Sequence, residues 1–255
     1  MAITRINLLT VPLDILPDED IEQTVMGLLE KPGTQHIVFL TVWDLLKARR
    51  NTEFRAMIDQ AALCLPLSKS LLRAARFLKL PVPVRRDSFD MIIRVLNVID
   101  SHYKSLYLLG GRAQSLLEAE RNVRITFPGI SIVGRFNGFY RKTMEADIIL
   151  SIVKAHPALL LIANGIPGDS LWVYRNREKL PAGIVIHNND IIDIFSKRKK
   201  RISDSAFRKG CEIWPQILRN PFKIFSFFRY LLFLLIVVFY RLFRKNPLPP
   251  DGLEG

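Results

Sequence analysis

The segment Ser105-Leu-Tyr-Leu-Leu-Gly-Gly-Arg112 runs from a short apolar stretch through paired glycines into a helical pattern over 112–122. That order reads as strand, tight turn and helix, with glycine where the backbone must turn sharply. The same unit recurs along the chain. Short runs at 36–41, 63–65, 130–135, 159–163 and 183–187 are bounded by Gly, Pro or polar clusters. Helical patterns at 18–31, 44–60, 69–79, 88–102, 143–155 and 168–179 lie between them. At the start of the fifth, Thr143 before Met-Glu-Ala-Asp reads as an N-cap followed by first-turn acids. The alternation predicts an α/β fold with a largely parallel sheet covered by helices on both faces.

In such sheets ligands bind beyond the carboxyl ends of the strands. The residues at those ends include Thr41, Pro66, Gly110, Gly111, Asn137, Asn164, Gly165 and Pro167. Backbone amides at Gly110 and Gly111, with a helix start behind them, suit a diphosphate. A tight turn needs glycine for conformation alone, so both readings stand. Arg85, just before a helix, has the fork geometry that clamps phosphate oxygens. Carboxylates placed to take a proton are Asp44, Asp87, Asp90, Asp169 and Asp193, and spacing does not choose between them. His36, His102, His156 and His187 are dispersed and read as structural or solvated. No metal-spaced cluster, GxSxG, HExxH or Walker sequence is present, so neither metal nor cofactor is expected.

The 255 residues carry a net charge of +13, and most of it is local. Between Lys197 and Lys245 stand 13 basic residues and two acids, a balance of +11. The run at 197–201 lacks the interleaved aromatics of base stacking, so nucleic acid is not expected. An aromatic and aliphatic stretch follows, with Phe222, Phe225, Phe228, Arg229, Tyr230, Leu231, Tyr240 and Arg241 suited to a membrane interface. Its uncharged part, 230–240, rises about 16 Å as a helix against the roughly 30 Å of a hydrocarbon core. An in-plane helix on an anionic membrane surface is the favoured reading, and a core helix packed on the body is the alternative. The expected organisation is a body over 1–196, a basic aromatic-rich helical appendage over 197–245 and a Pro-rich tail over 246–255. Cys64 and Cys211 read as small buried hydrophobes. The N-terminus lacks the pattern of a signal peptide, which predicts a cytoplasmic body.

The order of motifs resembles the WecG/TagA/CpsF family of bacterial glycosyltransferases. Leu106-Tyr-Leu-Leu-Gly-Gly-Arg112 and Phe127-Pro-Gly-Ile-Ser-Ile-Val-Gly-Arg-Phe-Asn-Gly-Phe-Tyr140 are similar to the family's "LLGG…YPGLxIVGxxxGYF". Gly165, Pro167, Trp172, Arg175, Asn176 and Leu180-Pro181 resemble its "GxPxQExWxxxNRxxLP" region. Asp193, Arg201, Arg208, Gly210, Glu212, Trp214 and Pro221 follow the order of its C-terminal segment. The resemblance implies a Rossmann-like body that moves a hexosamine-type sugar from a UDP-sugar to an undecaprenyl-diphosphate-linked acceptor, in polysaccharide synthesis at the cytoplasmic face of the inner membrane. Thr41, Arg85, Gly110, Gly111, Asn137, Gly165, Pro167, Arg201 and Arg208 are then the expected donor-binding residues. The expected partners are the UDP-sugar, the polyprenyl-diphosphate-linked acceptor, an anionic membrane surface and, among proteins, a second copy of the chain.

Four motifs depart from the family pattern. Its "LPDGxG" loop, whose aspartate is the proposed base, reads Leu65-Pro-Leu-Ser-Lys-Ser70, with Leu67 at the aspartate position. "TxN" becomes Thr41-Val-Trp43, "PKQE" becomes Pro167-Gly-Asp-Ser170, and "GVGGAFD" becomes His187-Asn-Asn-Asp-Ile-Ile-Asp193. Losing a positioned base costs about 10²–10⁴ in rate. Either another carboxylate serves, with Asp87, Asp90 and Asp169 the candidates, or the chain is a non-catalytic, membrane-attached binding or scaffold protein.

Overall fold

All six apolar runs are strands of one parallel sheet in the computed structural model, which describes residues 3–201 and 225–243. A two-stranded hairpin, β1 (Thr4–Leu8) and β2 (Val11–Ile15), precedes them. The sheet comprises β3 (Thr34–Leu40), β4 (Leu63–Pro66), β5 (Ser105–Leu109), β6 (Ser131–Phe136), β7 (Leu159–Ile162) and β8 (Gly183–His187), in the order β4-β3-β8-β7-β5-β6. The helices are α1 (Ile21–Glu30), α2 (Val42–Ala48), α3 (Thr52–Asp59), α4 (Lys69–Phe77), α5 (Ser88–Ser101), α6 (Ala113–Thr126), α7 (Glu145–Ala155), α8 (Ser170–Asn176), α9 (Ile191–Phe195) and α10 (Phe225–Phe243). The architecture is Rossmann-like.

Strand alternation sorts the side chains between two faces. Ile37, Leu63, Leu65, Leu106, Leu108, Leu159, Leu161, Ile184 and Ile186 pack under α1, α5, α6 and α9 in one continuous core. The opposite face is split. Val38, Leu40 and Cys64 lie under the hairpin, α2, α3, α4 and α10. Tyr107, Leu109, Leu160, Ile162 and Val185 lie under α7 and α8. The seam between those two clusters runs along β3 and β8.

The hairpin was not legible in the sequence. Its turn places Leu9 and Thr10 at φ 51° and 77°, a geometry usually signalled by Asn-Gly. It is fastened by Asp14, whose carboxylate accepts from Arg5 Nε at 2.7 Å, from Arg5 Nη2 at 2.9 Å and from the Cys64 amide at 2.6 Å. Asp14→Ala leaves that buried amide without its acceptor, while the half-exposed guanidinium keeps only the Ala61 and Ala62 carbonyls. We expect a loss of about 2 kcal/mol in denaturant unfolding. Cys64 is buried as expected, and burial pushes its thiol up to about 12. Cys211 lies outside the described residues.

Two local expectations are corrected, and one short helix was not anticipated. The 44–60 pattern is two helices, because Asn51 breaks the first and caps α3 by accepting from the Phe54 amide at 2.7 Å. Thr143 does not cap α7: it lies inside a 3₁₀ turn, Lys142–Met144, which leads directly into the helix. The five-residue α9 is too short to show a period.

Helix α10 joins the body's own core. Phe233, Val237 and Tyr240 are buried in the cluster beneath α2 and α4. Tyr230 shares a 3.1 Å hydroxyl contact with Ser70, and Arg49 donates to the Tyr240 hydroxyl at 3.3 Å. Tyr240, expected at a membrane interface, is therefore turned inward. Leu231, Leu234, Leu235, Val238, Phe239 and Leu242 form a second, exposed apolar stripe flanked by exposed Arg229 and Arg241. Among the described residues no helix is long and apolar enough to cross a membrane.

Candidate functional site

Neighbouring strands β3 and β8 send their chains to opposite faces: β3 continues into α2 and β8 into α9. Such a divergence opens a crevice at the carboxyl edge of a parallel sheet. Here it meets the seam between the two clusters, and a cleft of about 260 Å³ results. Its floor is His36, Val38 and His187. One wall is Asp44, Lys47 and Phe54, and the other is Gly168, Asp169 and Ser170, with Asn189 beside them. The walls are tied by a bidentate pair in which Arg175 Nε and Nη2 reach Glu53 at 2.7 and 2.8 Å. Lys47 rests its ammonium 4.1 Å from the centre of the Phe54 ring.

The two histidines are the residues that sequence reasoning passed over. They lie far apart in the chain, and only the parallel pairing of β3 with β8, His36 opposite Val185, brings their strands side by side. Burial, aided by the neighbouring His187, drives His36 down to about 3. Burial also lowers His187, while Asp169 pushes it back up. Both imidazoles are therefore neutral near pH 7. His187 Nε2 is buried with no hydrogen-bond partner, as are Asn164 Oδ1 and Tyr140 Oη in neighbouring loops. Three of the four such side-chain atoms among the described residues thus lie at the carboxyl edge of the sheet. Buried polar atoms are normally paired, so this edge has unspent hydrogen-bonding capacity.

The carboxylate candidates are dispersed. Asp169 reaches the cleft, in an unusual backbone conformation of φ 50°, ψ −127°. Asp87 begins α5, on the opposite face, where burial raises its carboxyl above the ordinary range. Asp90 pairs with Arg94 at 3.0 Å on the exposed side of the same helix. Asp44 lines the cleft but accepts from the Thr41 hydroxyl at 2.6 Å and the Thr41 amide at 2.8 Å. Thr41 is thus the N-cap of α2, its hydroxyl already spent. Leu67 is absent from the cleft lining. Its amide donates to Leu40 at 2.8 Å and its carbonyl accepts from Arg85 Nε at 2.7 Å.

The expected phosphate turn proves to be a backbone knot. The Gly110 amide donates to Phe136 and the Gly111 amide to Asn164, each at 2.8 Å. Gly138 donates back to Gly111 at 2.8 Å, and Phe139 donates to Gly165 at 2.7 Å. The two amides singled out for a diphosphate are therefore committed, and the glycines are required by packing. Asn137 donates to the Gly138 carbonyl, and Pro167 is exposed beside the cleft loop. Arg201 is exposed, and Arg208 and Phe222 lie outside the described residues. Trp172 and Asn176 are structural, since both donate to Glu145 and lock α8 to α7. Among the described residues no cluster of three metal-ligating side chains exists.

Comparison with known proteins narrows what this arrangement can do. The chain is 23% identical over 175 residues, 69% of its length and 67% of the relative's, to the N-acetylglucosaminyldiphosphoundecaprenol N-acetyl-beta-D-mannosaminyltransferase of Bacillus spizizenii (strain ATCC 23059 / NRRL B-14472 / W23). It is 21% identical over 216 residues, 84% of its length and 80% of the relative's, to the protein of that name from Bacillus subtilis (strain 168). The model of the glycosyl transferase WecG/TagA/CpsF family matches residues 6–247, from the first strand of the hairpin to beyond α10. With nearly every element of the fold inside that match, the chain belongs to the WecG/TagA/CpsF family of glycosyl transferases.

Proposed function

We propose that the protein transfers a hexosamine-type sugar from a UDP-sugar to an undecaprenyl-diphosphate-linked acceptor at the cytoplasmic face of the bacterial inner membrane. The observation that carries this reading is the cleft at the carboxyl edge of the sheet, with the buried Nε2 of His187 left unpartnered on its floor. The names of the two relatives supply the substrate classes. In the reaction the acceptor oxygen bonds to the anomeric carbon while the bond from that carbon to the diphosphate breaks. UDP leaves with the electron pair, and the hydroxyl proton must pass to a base. The outward stripe of α10 and its flanking arginines suit an anionic bilayer, where the lipid acceptor resides.

A second reading has its own observation. Leu67 cannot accept a proton, which favours a binding or scaffold protein that has kept the fold. One pair of measurements separates them. The transferase reading expects UDP to bind in calorimetry and UDP-N-acetylmannosamine to be consumed with an N-acetylglucosaminyl-diphosphoundecaprenol acceptor. UDP binding without consumption supports the scaffold, and absence of both overturns each reading.

A further inference from the structure

We propose that the His187 imidazole, backed by the Asp169 carboxylate, takes the proton that the acceptor hydroxyl releases. This rests on the transferase reading and identifies its base. His187 ends β8 and forms part of the cleft floor, and its Nε2 is buried without a partner. Asp169 lines the facing wall of the same cleft, held there in a backbone conformation that L-residues rarely adopt. No other carboxylate candidate combines these features. Asp87 and Asp90 begin a helix on the far face, and Asp193 lies in α9 outside the lining and accepts from Asn164. Asp44 is occupied by its cap, and Leu67 is tied to Arg85 outside the lining.

The step balances within the cleft. The acceptor oxygen forms its bond to the anomeric carbon, the bond from that carbon to UDP breaks with its electrons leaving on UDP, and the proton moves to Nε2. The imidazolium then faces the Asp169 carboxylate, which stabilises it as a positioned anion stabilises any charged histidine. The other charged or titratable groups of the cleft are His36 from β3 and Asp44 and Lys47 from α2. His36 stays neutral, and Asp44 and Lys47 carry opposite charges, so Asp169 is the unbalanced anion. Because burial holds His187 below its ordinary range, the imidazole carries a free lone pair at pH 7. A histidine here is specific to this chain's departure from the family pattern: it stands at the first position of the altered glycine-rich segment.

The test is a pH–rate profile of the full chain with UDP-N-acetylmannosamine and the lipid-linked acceptor. His187→Gln is expected to lower kcat by at least about 100-fold, the lower end for loss of a general base. UDP affinity by calorimetry is expected to remain. Asp169→Asn, an exposed change that leaves packing intact, is expected to move the acid limb to lower pH, because the lost anion no longer raises the histidine. Wild-type turnover together with a His187→Gln variant of equal rate and unchanged profile overturns the assignment and leaves sugar transfer standing. No turnover by the wild-type chain overturns both. If His187→Gln does not fold, the Asp169→Asn limb decides, and an unshifted limb overturns the proposal.

Discussion

Replacing Leu235 and Phe239 together by aspartate is expected to abolish sedimentation with phosphatidylglycerol-containing vesicles while the protein stays folded. The two residues are 60% and 52% exposed, lie one helical turn apart and belong to the outward stripe of α10. Full burial of each side chain in lipid contributes about 1.5–3 kcal/mol. A negative charge beside an anionic surface adds about 1 kcal/mol of repulsion, the reverse of what a lysine gains there. The combined change of about 5–8 kcal/mol is several orders of magnitude in partitioning. The inward stripe behaves differently. Phe233 is 1% exposed, and Phe233→Ala is expected to cost about 3–5 kcal/mol of folding stability. A double variant that still sediments like the wild type would assign binding to the basic residues outside the stripe.

That contrast explains how far the sequence could be read. A helix apolar on all sides has no moment to distinguish a face on protein from a face on lipid. The reading of 230–240 therefore offered an in-plane helix or a core helix as alternatives, whereas α10 has one stripe in the core and another exposed. Five of the six strands were legible because they are buried on both faces and end in glycine, proline or polar residues, whereas the edge strand β6, exposed or half-buried throughout, was marked by the turns on either side of it. The sheet order was not, since nothing local in residues 34–40 says that β8 will pair beside it. The candidate site suffers most from this. Its histidines meet only through that pairing, so each looked structural when read alone. The carboxylates had the opposite problem: the residue type was right, but only Asp169 of the three favoured candidates reaches the cleft. The paired glycines were correctly placed at a turn, yet their purpose depends on carbonyls at the end of β6 and just after β7 that the local sequence does not show.

Gly110→Ala is expected to lower the melting temperature by about 8–16 °C without weakening UDP binding in the molecules that remain folded. Gly110 sits at φ +108°, and a Cβ there would come within 2.9 Å of the Ala163 carbonyl carbon and oxygen and of the Asn164 oxygen. All three are backbone atoms of the segment that follows the neighbouring strand, so no side chain can rotate to make room. Backbone strain of about 1–3 kcal/mol and overpacking of similar size together give about 4 kcal/mol. At 2–4 °C per kcal/mol for a chain of this size, that yields the expected shift. Gly111→Ala is a useful partner. Its Cβ would meet the Ile192 side chain at 2.6 Å rather than backbone, and a side chain can re-pack, so the smaller loss is expected there despite a φ of +70°. UDP affinity is the second readout, because the Gly110 amide already donates to Phe136 and the Gly111 amide to Asn164. A Gly110→Ala protein with the wild-type melting temperature and no affinity for UDP would restore the phosphate role to these amides. Loss of stability with affinity intact would instead leave nucleotide recognition to the cleft and to polar atoms of the neighbouring loops.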